Sequence, residues 1–254
     1  HDGTAGTGFK IVTNSSSHII KTMNVNIEIA GLEIENEGNG ANILIEENAS
    51  FDFVIISDGL IHNGAYGIRT WQLESVQLTV LNTVIYNSSI GMSLSAAWYP
   101  PSPLIYNTTI ANSGDVGITA GTYLRFTAKN TLVYNSENDD FAYRDGNECS
   151  YCASSDGTAD DFGGTGNRVN QTFTFMDEAN DDYRLAPDDE GAKNHGTDVS
   201  RDSSLPVVVR NDIASDITGQ ERRLASAGSA QAGQTVKNAV WDIGADEAMR
   251  DFVA

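Results

Sequence analysis

The sequence predicts an all-β protein: a right-handed parallel β-helix followed by a partly irregular, acidic C-terminal segment. Three observations carry this prediction. They are an internal repeat of about 25 residues, β-branched side chains that alternate with polar ones inside each repeat, and a change of composition near residue 136. With 40% hydrophobic residues in a chain of 254, there is enough apolar material to bury a core.

The repeat consists of five segments that each end in asparagine. The terminal asparagines lie 27, 24, 25 and 23 residues apart, at Asn36, Asn63, Asn87, Asn112 and Asn135. Two positions earlier stands an aliphatic residue: Ile34, Ile61, Ile85, Ile110 or Val133. Five positions earlier the residues are Gly31, Asp58, Asn82, Asn107 and Asn130. Tetratricopeptide, ankyrin and armadillo repeats need about 33 residues or more, whereas one coil of a parallel β-helix fits this period.

Stacking of the coils follows from the repeat. Parallel strands lie about 4.8 Å apart, so equal positions of successive coils lie above one another. Asparagine suits a stacked corner because it tolerates left-handed backbone and its amide can bond the amides above and below. We expect about six or seven such coils.

The chain divides into two parts near residue 136. Residues 1–135 hold 5 basic and 11 acidic side chains, a net charge of −6, and residues 136–254 hold 10 and 24, a net charge of −14. We expect residues 1–135 to form the β-helix coils. Residues 136–254 are expected to form the last coil or coils, acidic loops and a C-terminal segment that packs on or caps the helix.

The overall charge excludes several classes of function. A formal charge of −20 should repel nucleic acid and anionic membranes. No window approaches the roughly 18 uninterrupted apolar residues of a membrane span, so we expect no direct membrane insertion. The first four residues, His1-Asp2-Gly3-Thr4, lack the basic and apolar stretches of an uncleaved signal peptide.

Four segments of the second half resemble a known family. They are residues 180–187 (Asn-Asp-Asp-Tyr-Arg-Leu-Ala-Pro), 194–196 (Asn-His-Gly), 216–223 (Asp-Ile-Thr-Gly-Gln-Glu-Arg-Arg) and 241–247 (Trp-Asp-Ile-Gly-Ala-Asp-Glu). The coils look like the pectate-lyase-like β-helix superfamily, and these segments resemble the closing part of secreted choice-of-anchor Q proteins. That family usually continues Leu-Ala-Pro with Ser-Pro-Ala-Ile-Asp, where residues 188–192 here read Asp-Asp-Glu-Gly-Ala. The resemblance implies secretion to the extracellular space or the cell surface.

The two cysteines, Cys149 and Cys152, form the only cysteine pair. In an extracellular setting this pair predicts a disulfide or a structural thiol pair. A zinc site is the weaker interpretation, because it needs about four ligands and the chain has only four histidines, none at metal spacing nearby.

Clusters of aspartate in the second half make calcium the one cofactor that we consider, since calcium takes oxygen ligands from loops. The candidate ligands are Asp139, Asp140, Asp160, Asp161, Asp181 and Asp182. None follows the spacing of an EF-hand or a calcium roll, and the alternative is a solvated acidic surface.

Two further kinds of site concern sugars. Trp71, Trp98 and Tyr99 follow strands and are candidates for carbohydrate contact, or else they cap apolar coil edges. Arg69 with Asp58 or His62, or Arg125 with Lys129, is a candidate pair for an acidic sugar, and the alternative is a solvated face. Of the five N-glycosylation triplets, those at Asn14, Asn48 and Asn170 are favoured, because Asn87 and Asn107 fall in the predicted ladders.

These observations predict a secreted, non-catalytic structural or adhesive surface protein, including the hypothesis of a self-assembling filament or sheath subunit. Self-association is expected through the ends or edges of the solenoid, for example through residues 8–12, because an uncovered end coil presents unpaired strand edges. The alternatives are a polysaccharide lyase or hydrolase that acts on acidic polysaccharide, and a carbohydrate-binding module. We predict no catalytic residue, since no compact constellation is visible.

Overall fold

The computed structural model describes most of the chain. Its described residues are 5–6, 8–14, 16–23, 26–46, 53–97, 101–142, 145–206, 209, 212–222 and 241–246. They form an all-β parallel solenoid of about five turns, which confirms the predicted fold class. The expected count of about six or seven coils was too high, because the last strand in a parallel ladder ends at Ser154 and the next passage of the chain adds an isolated parallel bridge between Ala153 and Arg168.

The strands are short, as expected for a solenoid coil. In chain order they are β1 (Phe9–Thr13), β2 (Ile20–Met23), β3 (Ile27–Ala30), β4 (Leu32–Asn36), β5 (Ala41–Glu46), β6 (Phe53–Ser57), β7 (Leu60–Asn63), β8 (Tyr66–Trp71), β9 (Gln77–Leu81), β10 (Val84–Tyr86), β11 (Ile90–Leu94), β12 (Leu104–Ala111), β13 (Val116–Ala120), β14 (Thr127–Tyr134), β15 (Glu148–Ser150), β16 (Ala153–Ser154), β17 (Phe175–Asp177) and β18 (Asp182–Leu185). The 3-10 helices are Thr158–Asp161, Glu178–Asn180 and Asp212–Ala214.

The coils build three faces. Face 1 consists of β3, β6, β9 and the first halves of β12 and β14, and face 2 consists of β1, β4, β7, β10 and the second halves of β12 and β14. These two faces belong to one 11-stranded sheet, because β12 and β14 run continuously around the corner. Face 3 is the separate five-stranded sheet β13-β11-β8-β5-β2. β15 and β16 pair with β14, so the coils extend beyond residue 135.

Inward side chains stack in the register that the repeat predicts. Ile34 pairs with Ile61, Ile61 with Ile85, Ile85 with Ile110 and Ile110 with Val133. All five are fully or almost fully buried in one core cluster that runs along the solenoid axis. Aliphatic residues two positions before the repeated asparagine therefore form the interior, where their burial stabilises the stacked coils.

Both predicted corners have left-handed backbone. In the first corner, φ is between 45° and 51° at Asp58, Asn82, Asn107 and Asn130. The second corner has φ between 52° and 63° at Asn63, Asn87, Asn112 and Asn135. Asparagine and aspartate accept this conformation better than other residues with side chains, which explains why they recur there.

The described C-terminal part of the chain, residues 192–206, 209, 212–222 and 241–246 (hereafter the tail), packs along faces 1 and 2. Ile243 and Ala245 join Leu60, Val84 and Leu132 of face 2 in one buried cluster. Trp241 lies in another with Ile55, Leu81 and Tyr106 of face 1. The tail therefore covers apolar side chains that point outward from the solenoid.

Hydrogen bonds fix the tail at the first corner. Asn130 donates from its amide to the carbonyl of Thr197 (2.7 Å) and accepts from the Thr197 N–H (2.8 Å). Asn82 donates to the carbonyl of Ser215 (2.9 Å). The stacked asparagines of the first corner (the corner ladder) therefore form hydrogen bonds both between coils and to the tail. Within the part of the chain that is described, no helix is long and apolar enough to cross a membrane.

Candidate functional site

Face 3 keeps its outward side chains in contact with solvent. Register places Lys21, Leu44, Arg69, Ser93 and Thr119 in one outward column across its five strands. All of these except Leu44 are exposed or half-exposed. Residues of the tail bury Leu81 and Tyr106 of face 1 and Val84 and Leu132 of face 2, whereas four of the five side chains in this column of face 3 reach solvent.

Arg69 lies between two aromatic rings on this face. Its guanidinium carbon is 4.6 Å from the ring centroid of Tyr66 and 5.0 Å from that of Trp71. Trp71 remains 44% exposed, and the chain turns immediately afterwards at Gln72, where φ is 55°. Stacking uses the flat side of a guanidinium and leaves its N–H edge available to bind an anion.

A groove of about 300 Å³ surrounds this arginine. It is lined by His18, Lys21, Leu44, Glu46, Arg69 and Trp71. Lys21 forms an ion pair with Glu46. The backbone N–H of Ala41 donates to Nδ1 of His18 (3.1 Å), so the neutral imidazole carries its proton on Nε2. Burial lowers the pKa of His18, and the charges of Arg69 and Lys21 lower it further.

The structure describes one of the three residues predicted to contact carbohydrate. Trp71 lies in the groove with an exposed ring, and Trp98 and Tyr99 lie outside the described residues. Asp58 and His62, the predicted partners of Arg69, have other contacts instead. Asp58 accepts a hydrogen bond from Asn82 in the corner ladder, and His62 bonds Glu33 on face 2.

A second groove of about 380 Å³ lies where the tail meets the last coils. Lys129 and Asp202, which form an ion pair, both line it. Tyr106 donates from its hydroxyl to the same Asp202 carboxylate (3.1 Å). These contacts hold the tail on face 1, so we assign this groove to the packing of the tail.

A buried charged cluster on face 2 was not foreseen. The Glu33 side chain is fully buried and accepts hydrogen bonds from the Gly6 N–H (2.8 Å) and from Lys10 Nζ (3.0 Å). Nε2 of His62 lies 3.0 Å from the same carboxylate. Lys10 also pairs with Glu35 at 2.6 Å. No local pattern in residues 32–36 indicates this cluster, because only the stacking of coils brings Lys10 and His62 to either side of β4.

Burial and pairing shift the pKa values of this cluster. Burial opposes ionisation of Glu33, but the hydrogen bonds from Lys10, Gly6 and His62 together hold the pKa of its carboxyl below the usual range. Burial lowers the pKa of His62 although Glu33 and Glu35 oppose this effect. The imidazole stacks flat on Tyr86, with ring centroids 4.7 Å apart and planes inclined by 5°. The cluster is a packed structural network that attaches β1 to the coils.

The six aspartates predicted to bind calcium do not come together. Asp140 is buried and accepts hydrogen bonds from Ser136, Ser155 and Asp156. Burial raises the pKa of its carboxyl. Asp182 pairs with Arg184 (2.6 Å), Asp139, Asp160 and Asp161 are exposed, and Asp181 occupies a left-handed turn. Among the described residues, no group of three or more histidine, cysteine or acidic side chains is arranged to hold a metal ion.

The disulfide predicted between Cys149 and Cys152 does not form in the structure. Both cysteines are free and completely buried in the core at the end of the solenoid. Sγ of Cys152 lies 3.7 Å from the carbonyl oxygens of Ala128 and Ser150. Burial raises the pKa of the Cys149 thiol. Here the two residues act as small apolar side chains of the last coil.

The glycosylation candidates differ in exposure. Asn14 and Asn170 are exposed, and Asn48 lies outside the described residues. Asn107 is buried in the corner ladder, as expected. Asn87 occupies the other corner but is exposed, so its position in a stacked corner does not by itself shield it.

Comparison of the chain with family models, curated proteins and solved structures finds no match. The parallel β-solenoid is therefore established by the geometry of the chain itself.

Proposed function

We propose that this chain is a secreted, non-catalytic adhesive or structural protein of an extracellular surface, with face 3 as its adhesive surface. The observation that carries the proposal is the unequal covering of the three faces. The tail buries outward apolar side chains of faces 1 and 2, such as Leu81 and Val84, although Val12 of β1 and Phe53 of β6 stay exposed. Face 3 instead presents Arg69, Trp71, Ser93 and Thr119 to solvent. A flat strand surface with polar, cationic and aromatic side chains suits recognition of an extended polymer.

Self-association is the second part of this proposal. β1 and β3 stand at the two ends of the 11-stranded sheet, and β2 ends the five-stranded sheet. On β1, Phe9 is 67% exposed and Val12 is 51% exposed. Edge strands offer backbone groups to another chain, so this end of the solenoid is where we propose that copies associate into filaments or sheaths.

The extracellular setting rests on resemblance. The coils look like the pectate-lyase-like superfamily, and residues 180–187 and 241–247 resemble the closing segment of secreted choice-of-anchor Q proteins. The tail of this chain packs along the solenoid at two stacked asparagines, Asn82 and Asn130, which is compatible with such a closing segment.

A polysaccharide lyase or hydrolase has less support. Such an enzyme needs carboxylates in a groove that admits a sugar chain. Glu33 and Glu35 instead pair with Lys10 and His62 in a packed cluster. Among the described residues that line the groove on face 3, Glu46 is the single carboxylate and it pairs with Lys21.

Binding and cleavage can be measured on the same samples. The protein is incubated with beads that carry neutral or acidic polysaccharides, and the bound fraction and the release of reducing ends or unsaturated products are recorded. We expect binding to at least one polysaccharide without new chain ends. Ser93→Glu, on the outward column of face 3, should reduce binding, and Ala179→Glu, which adds the same charge at an exposed position elsewhere, should not. Enzymatic release of products would contradict the proposal.

Assembly is tested by light scattering and electron microscopy of the secreted protein, with and without a calcium chelator. Ordered filaments are expected, and Phe9→Glu on β1 should abolish them. Loss of filaments in the presence of the chelator would show that assembly depends on calcium. Monodisperse monomers at every concentration would contradict self-association. The adhesive role would then depend on the binding experiment alone.

A further inference from the structure

We propose that the groove on face 3 lined by His18, Lys21, Leu44, Glu46, Arg69 and Trp71 is a binding site for an anionic sugar. The carboxylate or sulfate of the sugar pairs with Arg69, and its ring packs on Trp71. This inference rests on the proposed adhesive function and specifies its ligand, because it assigns one site and one chemical class.

The charge of the groove differs from that of the chain. The protein carries 35 acidic and 15 basic side chains, so a polyanion is repelled by the molecule as a whole. Only 5 basic residues fall within residues 1–135, and two of them, Lys21 and Arg69, line this groove. Glu46 offsets the charge of Lys21, so the positive charge available to an anion is that of Arg69.

Arg69 is the member best placed to bind the anion. Lys21 already pairs with Glu46. Arg69 makes no ion pair with any residue that the structure describes, and the rings of Tyr66 and Trp71 hold its guanidinium. A planar guanidinium that is held in one orientation can bind a carboxylate or sulfate through two N–H groups.

Trp71 supplies the apolar half of the site. Its ring is 44% exposed and lies next to the guanidinium. A pyranose has an apolar face that packs on an indole ring, while hydroxyl groups at its rim hydrogen-bond to polar neighbours. Glu46 and the Nε2–H of His18 offer an acceptor and a donor for such hydroxyls. A charged sugar can use both the guanidinium of Arg69 and the ring of Trp71, whereas an inorganic anion would use the guanidinium alone.

The size of the groove indicates how a polymer would lie. Its volume of about 300 Å³ is at the lower end of the usual range for ligand pockets, about 300–1,000 Å³. The groove therefore suits a small part of a longer chain. The outward column continues from Arg69 to Ser93 and Thr119, so the rest of the polymer can run across the strands over half-exposed hydroxyl groups.

Three matched ligands test this site by isothermal titration calorimetry. They are cello-oligosaccharides, the same oligomers oxidised at C6 to glucuronates, and the same oligomers carrying sulfate. We expect at least one anionic form to bind about tenfold more tightly than the neutral form, and added salt should reduce that difference. Preference for glucuronate or for sulfate identifies the anion, and either supports the proposal.

Variants separate the site from general charge effects. Arg69→Gln should reduce binding of the anionic oligomer about tenfold, to the level of the neutral one, and Arg69→Lys should retain part of the preference. Arg125→Gln removes the same charge at the other predicted pair, which does not line this groove, and should leave binding in the groove unchanged. Trp71→Ala should weaken binding of both oligomers. Circular dichroism and thermal melts establish that each variant is folded.

The outcomes distinguish this inference from the function on which it rests. Equal binding of neutral and anionic oligomers, unaffected by Arg69→Gln, would overturn the anionic site and leave face 3 as an adhesive surface. Equal losses in Arg69→Gln and Arg125→Gln would also overturn it, because binding would then follow overall charge. No binding of any oligomer here, together with no binding to any polysaccharide bead, would overturn both.

Discussion

The side-chain amide of Asn130 donates a hydrogen bond to the amide oxygen of Asn107, 3.0 Å away on the preceding coil. Asn107 in turn donates to Asn82 (3.3 Å), and Asn82 donates to Asp58 (3.2 Å). Four coils are therefore joined by one continuous line of amide hydrogen bonds at the first corner. Asn107 is completely buried, so its amide depends on these partners.

Replacement of Asn107 by alanine should lower the free energy of unfolding by about 2–4 kcal/mol. Two buried hydrogen bonds are lost, each worth about 1–3 kcal/mol when a partner is left unsatisfied, and alanine is less tolerant of left-handed backbone. Denaturant unfolding measures the loss. Asn87→Ala is the control, since Asn87 has the same backbone conformation but is exposed and has one long contact with Asp181 (3.4 Å). Similar losses in the two variants would show that the backbone conformation alone matters.

Replacement of Gly91 by alanine should destabilise the protein by about 2–3 kcal/mol, as overpacked cores do. A Cβ at this position would lie 2.6 Å from the carbonyl oxygen of Gly117 and 2.5 Å from a methyl group of Ile110. Gly114→Ala is the matched control, because its nearest neighbour would be Ser89 Cα at 3.6 Å. That variant should change the unfolding free energy by less than about 0.5 kcal/mol. An unchanged melting temperature for Gly91→Ala would contradict the close approach of the coils.

The two described tryptophans should differ strongly in their contribution to stability. Trp241 is 1% exposed and packs from the tail onto face 1, so Trp241→Ala should cost about 3–5 kcal/mol. Trp71 is 44% exposed, and Trp71→Ala should cost less than about 1 kcal/mol. Thermal or denaturant unfolding compares the two variants directly. If Trp241→Ala is as stable as Trp71→Ala, the tail does not stabilise the solenoid.

Stability should fall on acidification partly through His62. Its pKa in the folded protein is lowered from 6.5, so the unfolded chain takes up this proton first. The contribution of the neutral imidazole is present above pH 6.5 and is lost as the pH falls through the folded pKa. Glu33 has the same sign, because its pKa is lowered from 4.5, but its contribution is lost in a more acidic range.

Unfolding measured at pH 7.5 and pH 5 tests this dependence. Wild type should lose more stability between the two values than His62→Gln does, since the variant lacks the titrating group. The titration of the His62 ring protons by NMR gives the pKa itself. A midpoint at or above 6.5 would show that Glu33 and Glu35 outweigh burial.

Cys149 and Cys152 should behave as buried thiols. In the native protein both should react slowly with iodoacetamide, because they are fully buried and the thiolate of Cys149 is disfavoured. After denaturation without reductant, mass spectrometry should show two alkyl groups on the chain. Samples denatured with reductant provide the control. A mass that increases only after reduction would establish the disulfide that the structure does not contain.

The repeat in the sequence determined the coil, its register and its corners. Ile34, Ile61, Ile85, Ile110 and Val133 stack as their spacing requires, and the asparagines fall in left-handed backbone. These features follow from local preferences that recur in every coil, because equal positions stack wherever the period is constant. The sequence placed Trp71 after a strand without deciding whether its ring is exposed; in the structure it is the last residue of β8 and is 44% exposed.

Only the tertiary structure decided which faces are covered and which side chains meet across coils. Asn82 donates a hydrogen bond to the carbonyl of Ser215, which lies 133 residues later in the chain. No local sequence pattern encodes so distant a contact. The buried cluster of Glu33, Lys10 and His62 likewise needs three strands from separate parts of the chain. Tertiary packing likewise determines that the two cysteines remain free and that the predicted calcium ligands lie apart. A sequence specifies which residues can bind one another, whereas burial and three-dimensional packing determine which of them do.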